Sequence, residues 1–356
     1  MSATATLNRF TDFMVGPARF ANLLSCFELG LIDALRSRGG HSAAELGKAI
    51  GATPDAVEQL LLLLVKEGFV AQDEQGRYTL DALADIAEAD IDRVLKLFNM
   101  IKVTMLRQVF YLTESVRTGT LVGLDELYGF QGGTLYDAVA EHKDLRESWA
   151  TLMDNVTAHI DPWFFDKISI PDGARVLAVA GNTGLGAILA HKLKGTPGMH
   201  VTTFDLPEKQ AEALENFRAQ GLEEQCSFVG GDVFAPLPTG YDAAMIKHFL
   251  DMWDKDDVRK ILRGVNKALK PGGSVHILVP VYPENTQESR AVDIDFFPAF
   301  FLGCTMGQGG PQKLSTYCEL LAECGFEVTR TVTQDPAKLL PGTFVVHGIL
   351  SAAKIA

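Results

Sequence analysis

The sequence predicts an α/β protein, a doubly wound, mainly parallel sheet preceded by a mostly helical N-terminal domain. Three observations carry this. Up to about residue 165 the apolar residues recur three and four apart, which is helical spacing. Beyond about Pro171 short apolar runs alternate with amphipathic stretches, the pattern of a parallel sheet with helices on both faces. The length of 356 residues suits two domains, placed at 1–165 and 166–356. With 47% hydrophobic and 22% charged residues the chain has the composition of a folded protein.

The first helix carries Phe20, Leu23, Leu24, Phe27, Leu31 and Leu35 as one wide stripe, ended by Gly39-Gly40. Ser42 with Glu45 is a capping box opening a short helix that Gly51 closes. Thr53 caps the next helix and Pro54 occupies its first position, where proline is tolerated. That helix runs to Lys66 and stops at Gly68. Phe69-Val70 and Tyr78-Leu80 flank Asp73-Glu74-Gln75-Gly76 and read as a hairpin. Helix, turn, helix and hairpin make a winged helix.

Charge decides what that winged helix does. Between His41 and Leu80 stand Lys48, Lys66 and Arg77 against Glu45, Asp55, Glu58, Glu67, Asp73 and Glu74. A helix for the major groove presents Arg, Lys, Asn or Gln to base edges, and this one offers Asp55, Glu58 and Gln59. The whole chain has 32 basic and 45 acidic residues, a net charge of −13, which repels nucleic acid and anionic membranes. A dimerising role is expected instead, with no nucleic-acid and no membrane partner. No apolar run reaches the ~18 residues of a membrane span, and the N-terminal residues carry no secretory pattern. Five cysteines without a C-x-x-C read as free thiols in a reducing cytoplasm, so no metal is expected.

In the C-terminal half RVLAVAG is a buried strand. HVTTFDL, CSFVGGD, AAMIKHF, SVHILVPV, FEVTRTVT and TFVVHGILSAA are the further strand candidates. DKDDVRKILRGVNKALK is the clearest helix, with Val258, Ile261, Leu262, Val265 and Leu269 on one face, closed by Pro271-Gly272-Gly273. The last two strands have no full helix between them and read as a hairpin. The final strand is therefore antiparallel, at or near the sheet edge.

Ligands of open α/β sheets bind at the carboxyl ends of the strands. There the first strand ends in AGNTGLGA, where Gly181, Gly184 and Gly186 permit a tight turn into a helix N-terminus. Asp205, 21 positions after Gly184, is placed to accept both ribose hydroxyls of a nucleoside. Asp232, at the third strand end, is placed for the exocyclic amine of adenine. Singly each aspartate also reads as a cap, and the three features together read as a nucleoside site.

These segments resemble the class I S-adenosylmethionine-dependent methyltransferases of the small-molecule O-methyltransferase type, over nearly the whole chain. FDLPEKQ, GGDVFAPLP and KPGGS match the family's later motifs, and IKHFLDMWDKDDVRKIL stands where the family has K-x-x-L-H-D-W-x-D-E. The resemblance implies a Rossmann-like methyltransferase sheet, a winged-helix dimerisation domain and a homodimer. It implies S-adenosyl-L-methionine as cofactor, bound around Gly181, Asn182, Gly184, Asp205, Leu206, Asp232, Val233 and Lys247. Met153 falls near the family's methionine at the reacting centre. Phe296, Phe297, Phe300 and Phe301 fall where the family keeps acceptor-binding residues. Each of these phenylalanines, and Trp149 with them, reads either as core or as a wall of an apolar or aromatic pocket.

The departures bear on the chemistry. The family's D-x-G-G-G-x-G is Ala178-Val179-Ala180-Gly181-Asn182-Thr183-Gly184 here, without the acidic residue; Asn182 is a partial substitute. The general-base histidine falls on Asp251, and the two supporting glutamates fall on Val279 and near Pro311-Gln312. Asp251 and His248 are the catalytic candidates. An ordinary aspartate, with a pKa of about 3.9, is a poor base for a phenol of about 10. Burial raises such a carboxyl; without it, transfer rests on proximity. His248 reads as a satisfied histidine beside the sheet, as an acid/base group, or as a metal ligand with no evident partner set. The expected function is methyl transfer to a small, largely apolar or aromatic natural-product-like molecule, on oxygen, nitrogen or carbon, by proximity and without the usual histidine base, with Asp251 positioning and not accepting a proton. Two alternatives keep the fold: recruitment to hydroxylation, decarboxylation or a pericyclic step, and a non-catalytic ligand-binding protein.

Overall fold

A glycine sets the first break in the chain. The apolar stripe expected as one helix is two in the computed structural model, α1 (Ala3–Glu28) and α2 (Leu31–Leu35). Gly30 stands between them at φ +73°, a left-handed conformation that glycine adopts freely. The spacing of apolar residues continues across the break, so periodicity alone did not reveal it. The structure describes residues 3–37, 39–129, 133, 135–288, 293–306, 308–339 and 345–355.

The winged helix forms as its local signals require. Ser42 Oγ accepts the Glu45 amide at 3.2 Å, and Glu45 accepts the Ser42 amide at 2.7 Å, opening α3 (Ala43–Ile50). Thr53 Oγ1 accepts the Ala56 amide at 3.3 Å, opening α4 (Pro54–Lys66). Strands β1 (Val70–Gln72) and β2 (Tyr78–Leu80) pair antiparallel, and Asp73 holds the turn by accepting the amides of Gln75 and Arg77. Leu31, Leu46, Val57, Leu61 and Leu64 are completely or almost completely buried in this unit's core.

The chain divides between Phe98 and Asn99 into two units. The division falls within helix α5 (Glu88–Met100), so the expected boundary at 165 lies inside the second unit, where helix gives way to sheet. The second unit opens with a π-helical turn at Ile101–Met105 and the short helices α6 (Leu106–Val109), α7 (Leu112–Thr118), α8 (Val122–Tyr128) and α9 (Leu135–Glu141). The long helix α10 (Lys143–Lys167) then delivers the chain to the sheet.

The sheet is built from β3 (Arg175–Val179), β4 (His200–Asp205), β5 (Cys226–Gly230), β6 (Tyr241–Lys247), β7 (Leu269–Tyr282), β9 (Phe326–Thr333) and β10 (His347–Lys354). Their order is β5-β4-β3-β6-β7-β10-β9, and a two-residue strand β8 (Gln312–Lys313) joins the end of β7. β3 through β7 run parallel; β10 is antiparallel to β7 and to β9. The last strand is therefore one in from the edge, which β9 occupies. Thr343 and Phe344, expected in that strand, lie outside the described residues. Helices α11 (Leu185–Lys194), α12 (Gln210–Ala219), α13 (Lys255–Ala268), α14 (Asp293–Thr305) and α15 (Leu314–Glu323) complete the unit. Helix α13 ends at Ala268, so Leu269, expected on the helix face, opens β7, which carries Pro271-Gly272-Gly273 within it, and its register with β6 jumps from Leu269 to Ser274.

Two buried clusters fill the second unit. One joins α13 and α15 to the sheet; the other joins Ile160, Phe164 and Phe165 of α10 to β3, β4 and α11. The strand order reverses beside β3, since β4 follows on one side and β6 lies on the other. That is a topological switch point, and ligands of open α/β sheets bind beyond the carboxyl ends of the strands at such a point. All five cysteines are free, and no helix among the described residues is long and apolar enough to cross a membrane.

Candidate functional site

The site is built around the turn that follows β3. Ala180 and Asn182 take φ of +52° and +50°, and Gly184 takes +81° as the residue before α11. Non-glycine residues rarely adopt such angles, and strain of this kind gathers at ligand sites. Neighbours hold the turn. The Gly181 amide donates to the Phe204 carbonyl at 3.2 Å. Asp205 Oδ2 accepts the Asn182 amide at 2.7 Å, and its Oδ1 accepts the Leu206 amide at 2.7 Å.

Each glycine of the turn also leaves room for a side chain from elsewhere. A Cβ on Gly181 would lie 2.8 Å from Thr203 Cγ2, one on Gly184 2.4 Å from the Phe217 ring, and one on Gly186 2.5 Å from Lys247 Nζ. Gly184 is thus required both for space and for its backbone angle, while at Gly186, in the first turn of α11, the neighbour is the mobile end of Lys247.

Asp205 is half-buried, and burial raises its carboxyl above the usual range although the amides of Leu206 and Asn182 pull it down. Each of its oxygens has spent one lone pair on the turn and keeps another for a ligand. Asp232 is exposed beyond β5, where its Oδ1 accepts the Phe234 amide at 2.9 Å and leaves Oδ2 available. Leu206 is exposed, while Val233 packs on the sheet core. Lys247 ends β6 and ion-pairs with Asp161 of α10, which has no exposed surface. Sequence reasoning missed Asp161. Its signal was a carboxylate on the apolar stripe formed with Phe164 and Phe165, three and four residues on.

Beyond β6 the chain turns sharply. His248 stands at φ +48° and its amide donates to the Leu278 carbonyl at 2.9 Å. Its ring meets the His347 ring edge-on at 5.0 Å, and Nε2 is enclosed without a partner. Burial, then the neighbouring His347 and Lys247, hold its pKa well below the usual histidine value. His248 is therefore a neutral imidazole and a weak base.

Asp251 shows the opposite tuning. It is buried, its Oδ1 has no partner, and desolvation raises its pKa to about 7. The phenol of buried Tyr317, on α15, is raised by its own burial and by the neighbouring Asp251 carboxylate, and its hydroxyl is also unpartnered. The Asp251 carbonyl accepts the Gly310 amide at 2.6 Å, which fastens the 308–310 loop over it.

That loop leads back to the phenylalanines. A Cβ on Gly310 would lie 3.7 Å from Phe301. Phe297, Phe300 and Phe301 are buried on α14; Phe296 is half-buried and stacks on Phe300 at 5.4 Å. Gly303, one turn further, would bring a Cβ to 3.0 Å from Gln108. The Gln108 amide and the Thr104 hydroxyl are buried and unpartnered. Trp149 and Met153 lie half-buried on α10, upstream of Asp161. The structure thus gathers Gly181, Asn182, Gly184, Asp205 and Lys247 about one turn, and ties Asp251 to Phe301 through Gly310. Among the described residues no cluster of histidine, cysteine and carboxylates is arranged to hold a metal.

Residues 110–327 match the model of an O-methyltransferase domain, and residues 12–87 that of an O-methyltransferase dimerisation domain. The chain is similar to a 3-amino-4-hydroxybenzoate 4-O-methyltransferase of Streptomyces cremeus, 27% identical over 91% of this chain and 86% of that protein. It is also similar to a mitomycin biosynthesis 6-O-methyltransferase of Streptomyces lavendulae, 26% identical over 93% of this chain and 91% of that protein. A solved mitomycin 7-O-methyltransferase has the same fold, with a TM-score of 0.78 at 24% identity over 99% of this chain and 98% of that one.

The packing of the turn makes a specific prediction. Gly184→Ala drives a methyl into Phe217 and forces a left-handed angle on alanine. Overpacking typically costs about 1–3 kcal/mol, with the backbone angle adding about 1 kcal/mol. Adding Phe217→Leu relieves the first part only. Urea unfolding of the two variants measures both parts, and an unchanged midpoint for Gly184→Ala would contradict this packing.

Proposed function

The chain belongs to the O-methyltransferase family, and from that premise we propose that it moves a methyl group from S-adenosylmethionine to a small, largely apolar or aromatic natural-product-like molecule. Bound S-adenosylmethionine supplies an electrophilic methyl on a sulfonium sulfur.

The observation that carries the cofactor reading is the set of groups at the switch point. Asp205 keeps lone pairs for ribose hydroxyls, and Asp232 has a free oxygen for the adenine amine. The glycine turn lets backbone approach closely. One oxygen of buried Asp161 lacks a donor that a ligand could supply. Asn182, offered by the sequence as a partial substitute for the missing acid, gives Asp205 its backbone N–H, a donor any non-proline residue would supply there.

The acceptor end is an apolar box with few polar groups, the usual character of a small-molecule site. Phe296, the more exposed of the four phenylalanines, offers a wall backed by buried Phe297, Phe300 and Phe301, and Gln108 and Thr104 provide unpartnered polar atoms near α14. Which acceptor atom is methylated follows from how these walls hold the molecule, since proximity and alignment supply much of the rate.

Burial gives Asp251 the tuning that an ordinary aspartate lacks. A carboxyl at about 7 is half ionised at neutral pH and accepts a proton from the acceptor far better than one at 3.8. We assign Asp251 as that proton acceptor and His248 as a neutral neighbour shaping the turn. Methyl transfer thus combines proximity with a carboxylate base, without the family's histidine.

The dimerisation domain accounts for an exposed apolar surface. Leu7, Phe10, Phe13 and Met14 of α1 are 61%, 55%, 77% and 70% exposed in the single chain. Such a patch is the mark of a protein interface, and a homodimer formed by the N-terminal unit covers it.

Two outcomes are expected. Turnover of the wild type rises with pH through an ionisation near 7, because Asp251 must lose its proton to act, and levels off above it. Asp251→Asn abolishes that ionisation and slows single-turnover transfer by about 10²–10⁴-fold; a preserved profile with at most a severalfold loss would mean that proximity alone suffices. Sedimentation at micromolar concentration gives a dimer, and a stable monomer would contradict the reading of α1.

A further inference from the structure

The buried partner of Lys247 points to how the cofactor's tail is held, a step that rests on the cofactor reading above. Asp161 lies on the stripe that α10 buries against the sheet, and none of its surface is exposed. Its Oδ2 pairs with Lys247 Nζ, and its Oδ1 is enclosed with no hydrogen-bond partner. A Cβ on Gly186 would lie 2.5 Å from Lys247 Nζ and 3.8 Å from Asp161 Oδ2. The pair therefore stands over the first turn of α11, directly after the glycine turn, at the carboxyl ends of β3 and β6. Lys247 keeps 13% of its side chain exposed and is the outer member.

A buried carboxylate oxygen without a donor is a costly defect in a fold, and a buried charge is ordinarily both paired and fully hydrogen-bonded. Here one oxygen is served and the other is not. The strand beneath offers no acid of its own, since Ala178, Val179 and Ala180 stand there. Adjacent opposite charges, one of them with a vacant acceptor, are the complement of an α-amino-acid zwitterion.

We infer that Asp161 and Lys247 together clamp the amino-acid tail of S-adenosylmethionine, Asp161 Oδ1 accepting from the α-ammonium and Lys247 donating to the α-carboxylate. The N-terminus of α11 adds its dipole on the carboxylate side. Lys247 keeps its pair with Asp161 Oδ2 and has further N–H donors on the same ammonium for the carboxylate of the tail. Asp161 thereby joins Asp205 and Asp232 as a third acidic group of the cofactor site, contributed by α10 and not by a strand end.

Calorimetry of the full chain with three probes tests this. They are S-adenosylhomocysteine, its deaminated analogue, which keeps the carboxylate, and 5′-methylthioadenosine, which lacks the whole tail. In the wild type, removing the amine should weaken binding by roughly ten- to a hundredfold. Asp161→Asn should weaken S-adenosylhomocysteine by a similar factor and leave 5′-methylthioadenosine within about twofold. Equal wild-type affinity for S-adenosylhomocysteine and its deaminated analogue would overturn the clamp, and needs no variant to fold. An equal loss for both S-adenosylhomocysteine and 5′-methylthioadenosine in Asp161→Asn would overturn it too, by showing a purely structural carboxylate. A wild type that binds none of the three would overturn the cofactor reading itself.

Discussion

The ion pair of Asp161 and Lys247 is the contact on which the arrangement of the second unit's site depends. It joins α10 to the end of β6 across the first turn of α11. Burying two charges is costly, and removing one partner of such a pair is costlier still, because the other is left uncompensated. The three elements are therefore held in one arrangement, with the glycine turn between them. The same logic runs along the turn, where Thr203, Phe217 and Lys247 each fill the place of an absent side chain. The turn at the switch point is shaped from outside, by neighbours pressing on glycines.

Desolvation then sets the protonation of two residues on the other side of β6. Asp251 and His248 are three residues apart, and both are enclosed with an unpartnered atom. The same physical cause moves them in opposite directions. Loss of water disfavours the charged form, so the carboxyl rises to about 7 and the imidazole falls. The residue that an isolated reading makes the poorer base becomes the better one. Tyr317 feels the same loss of water, and its phenol is raised further by the Asp251 carboxylate.

Much of the fold was legible because its signals are local. The capping box of Ser42 and Glu45, the Thr53 cap and the Asp73 turn all concern residues within a few positions of one another. The break at Gly30 was hidden by apolar residues that keep their spacing across it. The division at residue 98 falls inside α5, where the helical spacing runs on without a break. The placement of the glycines, Asp205 and Asp232 at the ends of β3, β4 and β5 was readable from their distance after each strand. Asp161 was not, because a helix stripe gives no hint that one of its buried members meets a lysine 86 positions away. The tuning of Asp251 comes from its burial, which no local pattern of residues announces. The phenylalanines on α14 remain divided between wall and core, with Phe296 the more exposed member.

The central claim is that the turn after β3 and the carboxylate ending β4 form a nucleoside-binding cofactor pocket. The most direct test is the binding of S-adenosylhomocysteine to the wild type and to Asp205→Ala, by calorimetry at neutral pH. The account predicts saturable one-site binding by the wild type and a loss of roughly ten- to a hundredfold in the variant, the span of about 1.5–3 kcal/mol for hydrogen bonds to a charged group. Equal affinity in the two proteins would contradict it.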